Sequence, residues 1–368
     1  MDPLFNLYEE TMKRLLAPVV PYLEDESISE IMINGPDEIW VESSGKIRPV
    51  DAKFADTHAL ESAARNICQF VGKRLTIENP SIEARLPDGS RVHIMQPPAA
   101  RKGICIAIRK FSKHKLSMAS LIEFGALTPE ASEFLGLCVT LAKNVMVSGG
   151  TGSGKTTLLN CLSAMIHSDE RIIVLEDSSE LQLQQEHVVP FESQPPDKQG
   201  RGGIDIRGLM RASLRMRPDR VIVGECRGGE ALDMIQAMNS GHSGSLSTVH
   251  ANNPLDSLRR LETLCLMADV ALPLAALRSQ VASAIDVVVQ VSRLHDGSRK
   301  ITHVSEIIDI DKDGQYRVND LFLLTSKNID GKIEKQLEYC GGQPTFAADI
   351  KSEGMVDRVV LSKECWGL

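Results

Sequence analysis

The sequence predicts an α/β protein in which a smaller α+β domain precedes a larger domain built on a mostly parallel sheet. Three observations lead to this prediction. A glycine-rich loop over residues 149–156 lies between an apolar strand pattern and a helix pattern. Strand and helix patterns then alternate as far as residue 267, whereas short strands and turn signals fill the segment before residue 112. A chain of 368 residues is long enough for two such domains.

The composition is ordinary for a globular protein and argues against several classes of function. A net charge of −8 and an aromatic content of 4% disfavour general nucleic-acid binding, which needs basic surfaces and rings for base stacking. The eight cysteines form no C-x-x-C pair, so we expect reduced, mostly buried thiols and no structural zinc site. Neither a secretory signal pattern nor an apolar run of ~18 residues occurs, so any membrane role is expected to be peripheral.

Residues 1–111 are predicted to form the α+β domain, with a largely antiparallel sheet. Apolar residues at helical spacing predict a first helix that Pro18 and Pro21 end, and a second helix near residues 57–71. The sequence Pro-Asp-Gly-Ser at 87–90 lies between two strand patterns and predicts a hairpin. Residues 112–127 begin with a polar run and are predicted to be a linker.

Residues 128–368 are predicted to form the larger domain together with a C-terminal extension. A threonine followed by proline at positions 128 and 129 predicts the start of its first helix. The predicted strands are 144–148, 171–176, 187–192, 220–225 and 245–250, and the predicted helices are 155–167, 205–216, 229–239 and 255–267. A β-hairpin is predicted from 287–292 and 300–310, joined by a glycine-containing turn.

The glycine-rich loop, Gly149-Gly-Thr-Gly-Ser-Gly-Lys-Thr156, matches the phosphate-binding pattern G-x-x-x-x-G-K-[ST]. Its glycines let successive backbone N–H groups point at one anion, and the following helix adds the positive end of its dipole. Lys155 is expected to contact the β- and γ-phosphates, and the Thr156 hydroxyl to bind Mg²⁺. The predicted nucleotide contacts are Gly150, Thr151, Gly152, Ser153, Gly154, Lys155, Thr156 and Thr157.

Two carboxylates, Glu176 and Glu225, each end a buried strand pattern that follows the loop. At the carboxyl end of a strand beside the phosphates, an acid can deprotonate the attacking water or hold the Mg²⁺ shell. Their order along the chain does not decide which acid has which role. Two histidines, His242 and His250, surround the next predicted strand.

This ordered set of motifs resembles that of the secretion ATPases of type II and type IV secretion systems and type IV pili. Its parts are the phosphate loop, the acidic segment 176–180, Gly-Glu-Cys-Arg at 224–227 and the histidine segment 241–252. Within this group the chain is most similar to the CpaF branch, which powers tight-adherence pili. That similarity depends on the segments 28–36, 86–91, 214–220 and 293–299. The chain lacks the four-cysteine zinc insertion of the type II assembly motors, and Cys226 replaces a common aliphatic residue.

The resemblance implies a RecA-like ATPase domain, a homohexamer, and ATP with Mg²⁺ bound at domain or subunit interfaces. It implies that Glu176 is the general base, that Glu225 holds the Mg²⁺ shell, and that His242 and His250 sense the γ-phosphate or link neighbouring sites. Members of this group also use arginines outside the loop to contact phosphate. The matching candidates here are Arg91, Arg109, Arg215, Arg217 and Arg227.

The implied function is a motor at the cytoplasmic face of the inner membrane that couples ATP hydrolysis to pilus assembly, with or without retraction. Its expected partners are inner-membrane platform proteins, through which it would associate peripherally with the membrane. Two alternatives stay open. The traffic ATPases of conjugative type IV secretion systems share the histidine segment, although residues from 293 onward favour the pilus branch. A nucleic-acid translocase would share the core, but the acidic charge disfavours it, and no direct nucleic-acid contact is expected.

Overall fold

Two units make up the computed structural model, Met1–Lys115 and Leu116–Leu368. Within them the structure describes residues 3–43, 45–111, 116–197, 199–329 and 332–368. In these described ranges, no helix combines the length and apolar character needed to cross a lipid bilayer.

The first unit is a six-stranded antiparallel sheet with helices packed on it. Its elements are α1 (Pro3–Leu15), α2 (Val20–Glu24), β1 (Ile28–Asn34), β2 (Ile39–Ser43), β3 (Lys46–Val50), α3 (Thr57–Phe70), β4 (Ser81–Arg85), β5 (Arg91–Met95) and β6 (Cys105–Arg109). The strand order is β3-β2-β1-β6-β5-β4, and every neighbouring pair is antiparallel. Asp56 caps α3, which buries Leu60, Ala64 and Ile67 in the core of this unit. The predicted α+β architecture is confirmed.

Two elements of the first unit were not predicted from the sequence. Strand β3 lies at the edge of the sheet, contains Pro49, and exposes four of its five residues, so it shows no alternating apolar pattern. Helix α2 begins at Val20 and has Pro21 in its first turn, where a missing N–H costs no helical hydrogen bond. Pro21 therefore opens a second helix instead of ending the first one.

The second unit is a nine-stranded mixed sheet covered by helices. Its elements are α4 (Met118–Glu123), α5 (Pro129–Thr140), β7 (Val145–Gly149), α6 (Lys155–Ser163), β8 (Ile172–Glu176), β9 (Val188–Glu192), α7 (Ile206–Ser213), β10 (Arg220–Val223), α8 (Glu230–Asn239), β11 (Leu246–Val249), α9 (Pro254–Leu266), α10 (Leu274–Ala284), β12 (Val287–Arg293), β13 (Arg299–Ile310), β14 (Tyr316–Ile329), β15 (Lys332–Tyr339) and α11 (Asp349–Ser352). The strand order is β15-β14-β13-β12-β7-β11-β10-β8-β9.

The strands from β12 to β9 in this order are parallel, and β13, β14 and β15 extend the sheet in antiparallel fashion. Alternate residues of β7 bury into different cores: Val145 and Val147 join one cluster, and Met146 joins the other. The parallel strands are therefore covered on both faces, as their continuous apolar runs predict. Their carboxyl ends meet at one edge of the sheet, the carboxyl edge, and their starts form the opposite amino edge.

The segment 112–127 was predicted to be a linker, but part of it forms a helix. Residues 112–115 lie outside the described ranges. Residues 118–123 form helix α4, which Ser117 caps and which buries Met118 and Leu121 in the core of the second unit. The apolar side chains at three-residue spacing form the first helix of this unit, although the preceding polar run suggested otherwise.

The C-terminal segment closes one end of the second core. The carboxylate of Glu133 accepts hydrogen bonds from the backbone N–H groups of Val360, Leu361 and Ser362 at 2.9–3.1 Å. The Trp366 ring is buried, and its centroid lies 5.2 Å from that of Phe134 and 5.9 Å from that of Phe346. The tail beyond β15 is thus an integral part of the fold.

We expect Trp366→Ala to lower the free energy of unfolding by about 3–5 kcal/mol, because it removes a buried aromatic side chain from a packed cluster. Val360→Ala is the matched control, since that side chain is 64% exposed and its truncation should cost under ~0.5 kcal/mol. Urea unfolding followed by far-UV circular dichroism measures both variants. Equal midpoints for Trp366→Ala and the wild-type protein would show that the tail does not contribute to the core.

Candidate nucleotide site

The phosphate loop between β7 and α6 has a backbone shape that its glycines require. A Cβ on Gly149 would lie 2.4 Å from the Val291 carbonyl oxygen, so no side chain fits there. Gly152 and Gly154 have φ angles of +68° and +100°, in the left-handed region that favours glycine. The Ser153 hydroxyl donates a hydrogen bond to the Gly150 carbonyl oxygen at 2.9 Å, which ties the turn together.

The start of helix α6 fits a phosphate group. Gly154 is its N-cap and makes no side-chain capping bond, and the first-turn N–H groups of a helix have no helical acceptor. A Cβ on Gly150 or Gly152 would meet nothing within 4 Å, so other parts of the chain do not cover the loop at these two glycines. Thr156 and Thr157 lie on the same first turn, both half-buried. Backbone donors, a lysine and two hydroxyls are the groups that a nucleotide with Mg²⁺ requires.

Lys155 joins the loop to the end of strand β11. Its Nζ donates to the Gly150 carbonyl oxygen at 3.0 Å and lies 3.3 Å from Nδ1 of His250. The His250 Nε2 in turn lies 2.6 Å from Oε1 of Glu225. Burial, together with the nearby Lys155 ammonium, lowers the pKa of His250, which favours the neutral ring. A neutral ring protonated on Nε2 is compatible with both contacts.

Glu225 lies between this histidine and an arginine. Its Oε2 accepts from Nε and Nη2 of Arg227 at 2.8 and 2.5 Å, and Nη1 of Arg227 is 3.6 Å from Oδ2 of Asp177. Lys155, His250, Glu225, Arg227 and Asp177 therefore form one connected set, here named the charged network. Four of the five members were predicted from sequence motifs, and Asp177 was not among them, although the residue belongs to the acidic segment at the end of β8.

The backbone after β10 holds Glu225 in place. The Cys226 N–H donates to the Thr248 carbonyl oxygen at 2.9 Å, and the Thr248 hydroxyl donates to the Gly224 carbonyl oxygen at 2.8 Å. Both bonds attach the loop after β10 to β11, the strand that carries His250 at its end. The Glu225–His250 contact is thus built into the sheet.

Glu176 lies at the same carboxyl edge, in a different environment. It is 5% exposed, and its Oε1 accepts hydrogen bonds from the N–H groups of Glu180 and Leu181 at 2.8 and 3.0 Å. Burial outweighs these bonds and raises the pKa of Glu176 to about 7. A Cβ on Gly224 would lie 2.9 Å from Cγ of Glu176, so a glycine beside Glu225 lets the two acids approach.

Three of the predicted site residues lie at the amino edge of the sheet, opposite the phosphate loop. His242 precedes β11, so the whole strand separates it from His250. Its Nδ1 is buried and has no hydrogen-bond partner among the described residues. Arg215 and Arg217 precede β10 and are exposed. Within one chain, therefore, these three residues are not brought to the charged network.

Arg91 and Arg109 lie in the first unit, in register with each other on strands β5 and β6. Arg85 of β4 is in register with Arg91, so three arginines cross neighbouring strands on the outer face of the sheet. Arg91 donates to Glu83 Oε1 at 2.9 Å. Glu30 of β1 is the register partner of Arg109 on its other side, so carboxylates of the sheet itself accompany this row. Sequence analysis missed Arg85, although a hairpin centred on residues 87–90 places it opposite Arg91.

Comparisons with known proteins agree with these motifs. The family model described as "Type II/IV secretion system protein" matches residues 13–322. A putative conjugal transfer protein of Mycobacterium tuberculosis is 35% identical over 291 residues, which cover 77% of this chain and 82% of that protein. The type IV secretion system protein PtlH of Bordetella pertussis is 35% identical over 299 residues, covering 74% of this chain and 88% of PtlH.

Among solved structures, the pilus retraction motor PilT with bound ADP has a TM-score of 0.57 at 16% identity, covering 82% of this chain and 84% of that one. At this identity the likeness supports the fold alone, an α/β architecture with a RecA-like domain. The family model and the two relatives carry the assignment further. This chain belongs to the type II/IV secretion system protein family, the group of secretion ATPases that its motifs resemble.

Proposed function

We propose that this protein is a motor that binds ATP with Mg²⁺ and hydrolyses it to drive a secretion or pilus machine. The observation that carries the proposal is the charged network, which joins the phosphate-loop lysine to the acid at the end of β10. The Lys155 Nζ contacts the Gly150 carbonyl oxygen and the His250 ring, and neither of these two partners carries a formal negative charge. Phosphate oxygens of ATP would replace them, because charge-assisted hydrogen bonds are roughly twice as strong as neutral ones.

The two acids suit different tasks. Glu225 is ion-paired with Arg227, and with Thr156 it would hold Mg²⁺. When bound there, Mg²⁺ neutralises charge on the phosphates. Glu176 has a pKa of about 7, so near neutral pH it can exist as a carboxylate and accept a proton from water. We therefore assign Glu176 as the general base.

We propose a homohexamer as the working form. His242, Arg215 and Arg217 lie at the edge away from their own phosphate loop, so they would act on a neighbouring copy. Arg91 and Arg109 would likewise supply positive charge to phosphate. Self-association also has support in an apolar surface around α9 and α10. The side chains of Leu266, Met267, Val270 and Leu274 are 50%, 58%, 43% and 44% exposed, and a run of this kind is typical of a protein interface.

The machine we propose is a tight-adherence pilus, driven through platform proteins of the inner membrane at its cytoplasmic face, without direct nucleic-acid contact. The segment 293–299 supports this branch. A second candidate is the traffic ATPase of a conjugative type IV secretion system. The names of the two relatives support that candidate, since one is a putative conjugal transfer protein and the other a type IV secretion system protein.

Lys155→Ala should abolish nucleotide turnover and weaken ADP binding at least about 100-fold, because it removes the cation from the loop. Lys351→Ala, an exposed lysine on α11, is the matched control and should leave both unchanged. Calorimetric titration with Mg·ADP and phosphate release from ATP measure the two properties. Normal hydrolysis by the folded Lys155→Ala protein would contradict the assignment of the site.

Glu176→Gln should keep ATP binding and reduce hydrolysis by about 10²–10⁴-fold, the usual contribution of a general base. The wild-type rate should rise with pH through about 7, because only the ionised carboxylate accepts a proton and burial has raised its pKa. Glu186→Gln, at an exposed glutamate before β9, is the control. If Glu176→Gln retained both the rate and its pH dependence, the base would be another residue.

Co-purification from native cells after mild membrane solubilisation should identify the machine. With a tight-adherence pilus, mass spectrometry should find a polytopic platform protein and pilin-like subunits bound to the ATPase. Recovery of a DNA-processing coupling complex would instead assign the protein to the conjugative candidate and leave its enzymology unchanged.

A further inference from the structure

The β12–β13 hairpin contacts the phosphate loop at three of the loop's glycines. Gly149 packs against the backbone of Val291 on β12. From β13, the Arg299 Nε donates a hydrogen bond to the Gly152 carbonyl oxygen at 2.9 Å. The Cδ of Arg299 lies 3.3 Å from the position of a Cβ on Gly154, so its aliphatic stem covers that glycine. An arginine is thus fixed on the loop itself, at two points.

The same hairpin places two positive charges side by side. Arg293 and Arg299 are register partners at the end of the β12–β13 ladder, and both are exposed. The acid of the connecting turn, Asp296, accepts from the N–H and hydroxyl of Ser298 through one oxygen, Oδ1, and thereby shapes the turn. The positive charge beside the loop therefore has the sign that a polyphosphate requires.

We propose that Arg299 is a further nucleotide-binding residue, supplied by the chain that owns the phosphate loop. The Nε bond to Gly152 and the packing on Gly154 fix the stem, and the two Nη groups carry four further N–H donors. A guanidinium so anchored suits phosphate oxygens, which accept forked, charge-assisted bonds. The proposal rests on the proposed function, and it gives segment 293–299 a role beyond that of a family signature.

In the alternative explanation, Arg299 only stabilises the loop through its hydrogen bond to Gly152 and does not bind nucleotide. Glutamine separates the two explanations, because its side-chain Nε2 occupies the same position along the side chain as the arginine Nε. Arg299→Gln thus keeps a donor for Gly152 and removes the charge. Arg299→Lys keeps the charge and loses the fork, and Arg299→Ala removes both.

The test is the dissociation constant for Mg·ADP, measured by calorimetric titration of the full chain. Arg299→Gln and Arg299→Ala should both weaken binding about tenfold or more, with Arg299→Lys between them and the wild type, since one charged hydrogen bond is lost. Arg317→Gln is the matched control. Arg317 lies on β14, is exposed, and forms an ion pair at 3.3 Å with Asp309 of β13. Thermal melting confirms that each variant is folded.

Wild-type affinity in Arg299→Gln would overturn the proposal and leave Arg299 as a support of the loop. Should Arg299→Ala not fold, the glutamine and lysine variants still decide between these outcomes. Failure of the proposed function is recognised separately. If the wild type does not bind Mg·ADP, both proposals fall, whereas wild-type binding that Lys155→Ala abolishes and Arg299→Gln preserves contradicts only the role of Arg299.

Discussion

The contact of one imidazole with both a lysine and a carboxylate organises the candidate site. His250 can make both contacts because β11 lies between β7 and β10 in the sheet, although it follows both of them along the chain. The strand order therefore places a titratable ring between the phosphate loop and the acid after β10. Burial and the Lys155 ammonium both lower the pKa of that ring, so the bridge favours its neutral form.

Environment, not residue type, distinguishes the two glutamates at the carboxyl edge. Glu225 lies beside a guanidinium, and Glu176 is enclosed by β8, the 177–181 turn and Gly224. Glu225 is thereby held by an ion pair, whereas burial raises the pKa of Glu176 to about 7, so its acid and base forms are close to equally populated at neutral pH. The sequence alone could not decide between the two roles. It shows that each glutamate follows a strand, but it does not show how deeply each side chain is buried.

Much of the fold and part of the site could be read from the sequence. Strands buried on both faces have continuous apolar runs, and capped helices have recognisable starts, so the elements around the phosphate loop were predicted within a few residues. Contacts that depend on sheet order or register could not be read. His242 and His250 are close in sequence yet lie at opposite edges, whereas Arg299 reaches Gly152 across 147 positions. Edge strand β3, with Pro49, lacked any pattern to recognise.

The C-terminal tail extends the hydrophobic core beyond the segment that the family model matches. The matched segment stops at residue 322, inside β14, yet β15 pairs with β14 from Phe322 onward and Trp366 packs on Phe134 of α5. A domain boundary placed at the end of the family match would therefore divide one continuous hydrophobic core. Residues beyond the matched segment complete the hydrophobic core in this protein, so substitutions in the tail are constrained by packing as those in the core strands are.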